Sequence, residues 1–451
     1  MSRKRRRQQM VTGAGVGIGA TLAMGGAAQA ATITVATTEE PTDAGSVTLR
    51  QAINQSQEEQ NAGSTITFAS GLSGTIHLAS DLPSIDKPVT IQGPGADQIT
   101  ISGEDAHKIF DLDSPGGPFD VKISGLTLAH AYAQEGAAID SYNANLTLSG
   151  MVLSDNKANS VGGAIWAYSQ LSSLTIRDST LTGNSTIAGV GGAIYSNQTP
   201  ITIQNSTFSD NQSPYRGGAI AIDDAPGLST IENSTLTGNK MTTNSATSSG
   251  GAVYLYGTEG GLTVTGSTIV RNDATYGGGI FNHGAFSSPP VVLHNTIVSG
   301  NTASLTGPNL GGSFESAFSL LGNTDGANVT ETVPGSDVLA QDPQLGDLAS
   351  NGGPTQTMKP TATSPVLDMG SAFGITTDQR GQPRPFDAPT ISNAPGSDAS
   401  DIGAVELQAS DVPAAKQEPA TAKKKKCKKK KHKRSAESAK KKKCKKKKKK
   451  G

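Results

Sequence analysis

Between residues 146 and 301 apolar and polar positions alternate in short runs, such as Leu174-Thr175-Ile176, Ile201-Thr202-Ile203 and Leu262-Thr263-Val264. A period of two, enriched in Thr, Ile and Val, predicts strands; an amphipathic helix would need apolar residues at three-to-four spacing. Each run recurs in one frame. A small polar turn leads to a second strand ending hydrophobic-x-x-Asn, then come a loop, a glycine pair and a third strand (Ala164-Ile165-Trp166, Ala193-Ile194-Tyr195, Ala219-Ile220-Ala221, Ala252-Val253-Tyr254). The asparagines are Asn156, Asn184, Asn211, Asn239, Asn272 and Asn301, separated by 28, 27, 28, 33 and 29 residues. The glycine pairs follow in phase: Gly162-Gly163, Gly191-Gly192, Gly217-Gly218, Gly250-Gly251, Gly277-Gly278 and Gly311-Gly312.

A period near 28 that survives insertions predicts a solenoid. Three short strands and three turns use up one repeat, and stacking would pair like strands in parallel at about 4.8 Å. A leucine-rich repeat has a similar period, but no repeat here carries its Leu-x-x-Leu-x-Leu signature. The expected fold is therefore all-β, a right-handed parallel β-helix of roughly a dozen coils. Asparagine tolerates the left-handed backbone region, and its amide bonds the same amide one coil away, so the six Asn are read as a structural ladder. The glycines are read as tight turns or close approaches between coils.

The phrases Gly-Gly-Ala-Ile (at Gly162, Gly191 and Gly217) and Phe208-Ser209-Asp210-Asn211 resemble the repeats of polymorphic outer-membrane proteins, within a broad group of secreted bacterial β-helix proteins. Only that one repeat has the Phe form. The motifs imply coil geometry and are nearly silent about chemistry. Further on stand Ser364-Pro365-Val366-Leu367-Asp368-Met369-Gly370, Thr377-Asp378-Gln379-Arg380-Gly381-Gln382-Pro383-Arg384-Pro385 and Ser400-Asp401-Ile402-Gly403-Ala404-Val405-Glu406. These resemble the C-terminal region of choice-of-anchor β-helix proteins of the Q type, with Met369 where that family usually has Ala. The resemblance spans residues 352–407 and implies a β-helix followed by a surface-attachment signal.

The chain divides accordingly. Residues 1–30, with a basic start, a weakly apolar stretch and Ala28-Gln29-Ala30, read as a signal peptide. Residues 31–65 form an N-terminal cap containing a strand at residues 32–35 and a short amphipathic helix at residues 47–54, with Leu49, Ala52 and Ile53 on one face; an open solenoid end needs such a cover. Residues 66–351 carry the β-helix, including less regular early coils. Residues 352–415 form a C-terminal cap, in which Arg380 and Arg384 are set among Asp368, Asp378, Asp401 and Glu406 for charge-assisted pairing. Residues 416–451 are Lys-rich and expected to be disordered.

Charge sharpens this division. The whole chain has 38 Lys+Arg and 38 Asp+Glu, but 21 of the cations lie beyond residue 415 and 5 in the first thirty, leaving 12 against 36 acidic groups between. An acidic body argues against a specific nucleic-acid ligand. The basic tail is suited to envelope or extracellular polyanions, with strong salt dependence. No segment after the leader reaches the length of a membrane-spanning helix. The only cysteines, Cys427 and Cys444, sit within lysine blocks whose cations lower a thiol pKa; with His432 they fall short of a four-ligand metal site, so no metal is assigned.

The chemistry expected of the body is modest. Right-handed β-helices include pectate lyases, polygalacturonases and tailspike glycanases. A lyase needs carboxylates holding Ca²⁺ beside a basic residue, and an inverting hydrolase needs two carboxylates about 6.5–9.5 Å apart. The candidates here are Asp223, Asp224, Glu232 and Arg216. Asp223 and Asp224 face together only if they occupy the turn before Pro226. Asn282-His283-Gly284 lacks the first glycine of the polygalacturonase Gly-His-Gly, and His283 is read as a loop residue. Trp166, Tyr168, Tyr195, Tyr254 and Tyr256 follow the glycine pairs and are candidates to stack on sugar rings, or on one another between coils. The reading favours an extracellular or cell-surface glycan-binding or adhesive protein attached by its tail, over a polysaccharide lyase or glycoside hydrolase working in the same groove. No cofactor is expected, and Ca²⁺ only with the lyase.

Overall fold

The alternating runs do form strands, but a coil of the regular repeat contains four of them rather than the expected three. One coil of the computed structural model runs Ile165–Tyr168, Ser173–Arg177, Thr180–Thr182 and Ser185–Thr186 before the next glycine pair. The fourth strand is two to five residues long and stacks into a separate 7-stranded sheet. So short a strand shows no alternation, which is why the pattern hides it. The structure describes residues 31–40, 45–284 and 288–411. The expected signal peptide and Lys-rich tail, with Cys427, Cys444 and His432, lie outside the described residues.

Like strands of successive coils pair in parallel and in register, as in Leu146–Leu174–Ile201. The solenoid has about 9 turns, fewer than the expected dozen, because the early and late coils lack some strands. One sheet has 11 strands and another 19. The larger sheet is two arms, one containing Ile165–Tyr168 (the aromatic arm) and one containing Ser173–Arg177 (the threonine arm). Leu310–Ala317 is long enough to pair with both and joins them. Inward positions stack like on like: Ile165, Ile194, Ile220, Val253 and Ile280 form one fully buried column. Each such side chain stabilises the folded state by about 1.5–3 kcal/mol relative to exposure.

Ladders of polar side chains run up two corners. Asn156 Nδ2 donates to Asn184 Oδ1 at 2.9 Å, and the same bond links Asn184 to Asn211, Asn211 to Asn239, Asn239 to Asn272 and Asn272 to Asn301, at 2.9–3.0 Å. Asn309 ends the column, accepting from Asn301 at 3.1 Å. Each amide also donates to a main-chain carbonyl of the preceding coil, as Asn184 does to Leu153. The left-handed residue is not the ladder Asn, as expected, but the one before it. Asp155, Gly183, Asp210, Gly238, Arg271 and Gly300 have φ of +54 to +69°. They make the corner, which frees the Asn side chain to turn inward. At the other corner the main-chain N–H of Ser179 donates to Ser206 Oγ, Ser206 to Ser234 and Ser234 to Ser267, again after left-handed residues at 178, 205, 233 and 266.

The glycine pairs combine both expected roles. The first member has positive φ, +59 to +73° at Gly162, Gly191, Gly217, Gly250 and Gly277. A Cβ on the second would lie 2.0–2.1 Å from the next coil's carbonyl at Gly163, Gly192, Gly218 and Gly251. The sixth pair is not in phase. Gly307-Pro308 takes that place, bonded to Gly278, while Gly311 and Gly312 lie within the joining strand.

Helix α1 (Leu49–Ser56) has a Thr48–Gln51 capping box and buries Leu49, Ala52, Ile53 and Ser56 against the first coil. The C-terminal segment lies along a flank of the solenoid. Gln379 receives Thr235 Oγ1 at 2.6 Å and donates to Thr207 Oγ1 at 2.9 Å, while Thr355 donates to the Asn205 carbonyl. Val270, Ile297 and Leu320, on the outer face of the 11-stranded sheet, join Met358, Val366, Leu367 and Ile402 in a second core. Arg380 pairs with Asp378 at 2.8 Å and Arg384 with Glu406 at 3.0 Å, all buried. Among the described residues no helix is long and apolar enough to cross a membrane.

Candidate functional site

The outward positions of the aromatic arm form two columns, because alternate residues of a strand share a face. Register sets one column as Asp111, Asp140, Trp166, Tyr195, Ala221, Tyr254 and Phe281. The other is Asp113, Tyr142, Tyr168, Asn197, Asp223 and Tyr256. The face thus has a ring cluster at each end and a polar strip between them.

At one end Tyr142 stacks on Tyr168 (ring centroids 5.6 Å apart) and Tyr168 on Trp166 (5.7 Å). All three remain half-buried, with ring area open to solvent. Lys108 bridges Asp111 and Asp140 beyond them. Burial opposes the charge on Lys108, but the two carboxylates outweigh it and raise its pKa. At the other end Tyr254 stacks on Phe281 (6.0 Å), and His283 meets the Tyr256 ring edge-on (5.2 Å). Inter-coil stacking and exposed ring surface therefore coexist. Tyr254 is the exception among the candidate rings: at 1% exposure it offers no face to a sugar.

The polar strip contains Tyr195, Asn197, Asp223 and Arg216. Asn197 Nδ2 donates to Tyr195 Oη at 2.8 Å, and Tyr195 Oη donates to Asp223 Oδ2 at 3.1 Å. Arg216 Nη1 stands 4.0 Å from Asp223 Oδ2, with its guanidinium over the Tyr254 ring (5.1 Å) and near that of Tyr256 (5.9 Å). Burial pushes the Asp223 carboxyl up to about 6 despite Tyr195 and Arg216, which favour the ion. Burial likewise raises the Tyr195 and Tyr254 phenols, the latter to about 12.

The structure thus unites Arg216 and Asp223 and separates the other candidates. Asp223 ends its strand and points onto the face, whereas Asp224 is the exposed left-handed residue of the turn (φ +53°). Glu232 ends a strand of the threonine arm. Of the other repeat arginines, Arg271 pairs with Asp347 at another corner and Arg177 ends a threonine-arm strand. Sequence reasoning missed Tyr142, Asp140 and Asn197, whose signal is registration with Trp166, Tyr168 and Asp223 one or two coils away. Among the described residues no three His, Cys, Asp or Glu side chains converge as metal ligands.

Residues 89–269 match the sequence family described as "Right handed beta helix region". The chain is a right-handed parallel β-helix. Solved structures of similar chain path include pectate lyase Pel9A, at 12% identity and TM-score 0.40, covering 84% of this β-helix chain and 98% of that one. The PL6 family alginate lyase AlyGC (12%, TM-score 0.27) covers 73% and 55%. The catalytic unit of the thermostable GH87 alpha-1,3-glucanase from Streptomyces thermodiastaticus strain HF3-3 (14%, TM-score 0.27) covers 65% and 66%. Among curated proteins no sequence matches.

Proposed function

We propose that the outward face of the aromatic arm binds a polysaccharide chain lying along the solenoid axis, outside the cell. The observation that supports this is the pair of in-register columns: half-buried rings at Tyr142, Trp166 and Tyr168, then hydrogen-bonding groups at Tyr195, Asn197 and Asp223, then rings again at Tyr256 and Phe281. A sugar presents an apolar C–H face and a rim of hydroxyls. Rings take the first, and carboxylate and amide groups take the second. Coils repeat at about 4.8 Å, so an extended chain meets a new binding group at each coil. Attachment to the envelope is assigned to the Lys-rich tail, whose 21 cations suit a polyanionic surface.

Affinity electrophoresis through gels containing laminarin, xylan, galactomannan or polygalacturonate tests the reading. At least one polymer should retard the protein, and Trp166→Ala with Tyr168→Ala should weaken retardation about tenfold. Unchanged retardation in that double variant would remove the aromatic face from the account. Deleting residues 416–451 should release the protein into the medium.

One observation favours a second reading, cleavage of the same chain. Asp223, raised to about 6 beside the Tyr195 hydroxyl, is poised to exchange a proton near neutral pH. New reducing ends or unsaturated uronide absorbance, lost in Asp223→Asn, would establish it; silence on all four polymers would leave binding alone.

A further inference from the structure

The polar strip contains a feature that its protein partners leave unexplained. Asp223 is 8% exposed and Tyr254 1%, yet Asp223 Oδ1 and Tyr254 Oη have no hydrogen-bond partner among the described residues. Buried polar atoms without partners destabilise a fold and are rare unless a water, ion or ligand completes them. These two lie on neighbouring strands of one face, close enough for the Asp223 charge to raise the Tyr254 phenol pKa. Between Tyr195 and Tyr254 the first column holds Ala221, the one residue without a large side chain between Trp166 and Phe281. The register therefore puts a methyl group where the column otherwise carries rings, and because Ala221 is itself fully buried, the space over it, flanked by Tyr195 and Tyr254 and ended by Asp223, is closed by side chains and opens as a notch only when one of them moves.

Arg216 covers this notch. Its guanidinium is held by two ring faces and a 4.0 Å ion pair, and its side chain is 36% exposed. An arginine so placed swings aside at little cost, since its contacts are cation–π and a long charge pair rather than a bidentate clamp. Among the described residues orphan atoms also occur elsewhere, including Asp113 Oδ1 on the same face and Arg384 Nη1 and Asn233 Oδ1 beneath the C-terminal segment. Beside Asp223 and Tyr254 the cover is a part-exposed arginine side chain.

We infer that the notch over Ala221 is a subsite for one neutral sugar residue, with Asp223 Oδ1 and Tyr254 Oη hydrogen-bonding adjacent hydroxyls and Arg216 moving aside to admit it. The inference rests on the polysaccharide-binding reading and names its specificity-determining pair. A carboxylate accepts from a hydroxyl, and the Tyr254 hydroxyl both donates and accepts, so the pair matches two neighbouring hydroxyls. A uronate carboxylate would instead meet Asp223 as a like charge.

The test uses the full-length protein and two kinds of probe. Methyl glucoside, methyl mannoside, methyl galactoside and methyl glucuronide are titrated while the Asp223 carboxyl carbon is followed by NMR. One of the neutral glycosides should shift that resonance saturably and the glucuronide should not. Asp223→Asn and Tyr254→Phe should each weaken binding about tenfold, whereas Arg177→Ala, on the threonine arm, should leave the monosaccharide response intact. Arg216→Ala should speed association. A shift with no retardation by any polymer would keep the notch and discard the extended platform. Retardation that survives both Asp223→Asn and Tyr254→Phe, with no monosaccharide response, would keep the platform and overturn the notch. Preference for glucuronide, abolished in Arg216→Ala, would overturn the neutral-sugar assignment, and silence from both probes would overturn both readings.

Discussion

Two outer faces of this solenoid meet different fates. The 11-stranded sheet turns Thr207, Thr235, Thr268, Val270, Ile297 and Leu320 outward, and the C-terminal segment buries them all. The aromatic arm turns outward an equally non-random set, Tyr142, Trp166, Tyr168, Tyr195, Asp223 and Tyr256, and the groups over its centre are side chains such as Arg216. The first face is matched by the chain itself: threonine hydroxyls meet Gln379 and the Gln356 carbonyl, and apolar residues meet Met358, Val366 and Ile402. The second leaves Asp113 Oδ1, Asp223 Oδ1 and Tyr254 Oη unmatched among the described residues, while Asn233 Oδ1 and Arg384 Nη1 are unmatched beneath the C-terminal segment. Both faces hide polar groups, so burial alone does not mark a site. What distinguishes them is the cover, a chain segment that bonds to the first face and side chains such as Arg216 over the second.

That contrast breaks most sharply at Arg384. It is fully buried with Glu406, so Arg384→Ala leaves a carboxylate without its counter-charge and should cost about 3–5 kcal/mol in denaturant-midpoint measurements. A loss under 1 kcal/mol would mean that the C-terminal segment adds nothing to the folded solenoid.

A smaller effect is expected from pH. Asp223 is raised to about 6 from an ordinary 3.8, so the folded state binds its proton more tightly than the unfolded chain does. Stability from this group is complete below about 4 and declines as pH rises through 6, by roughly 3 kcal/mol in all. Asp223→Asn should flatten that slope between pH 4 and 6. Burial also raises Asp401 and Glu406, with the Glu406 charge adding to the rise at Asp401, so stability should decline further through neutral pH in a way Asp223→Asn does not touch. A variant slope identical to the parent's would place the raised carboxyl elsewhere.

The smallest effect is the most diagnostic. Tyr254→Phe removes a hydroxyl that bonds nothing among the described residues, so stability should stay within about 0.5 kcal/mol or rise slightly. A loss above 1 kcal/mol would show that the hydroxyl has a protein partner, and the contrast between the faces would narrow.

Much of the scaffold is legible in the sequence. Period-two runs placed the main strands, the spacing of Asn156 to Asn301 implied stacked coils, and the apolar face of residues 47–54 marked the helix now seen at Leu49–Ser56. These features are local or strictly periodic, and one coil's pattern constrains the next. Details that depend on backbone geometry within a corner were read less well. The left-handed residue precedes each ladder Asn, and Gly307 rather than Gly311 keeps the phase.

The division has a physical cause. A repeating chain must bury like side chains on like and satisfy each corner from the neighbouring coil, so composition and period by themselves determined a parallel β-solenoid with polar ladders. They did not determine which outer face the C-terminal segment covers, because that choice depends on complementarity between residues about 150 positions apart, such as Thr207 and Gln356. Nor did they bring Arg216 to Asp223 while turning Asp224 to solvent. Adjacent residues look equivalent in a sequence, and only the end of a strand and a left-handed turn set their side chains on different sides.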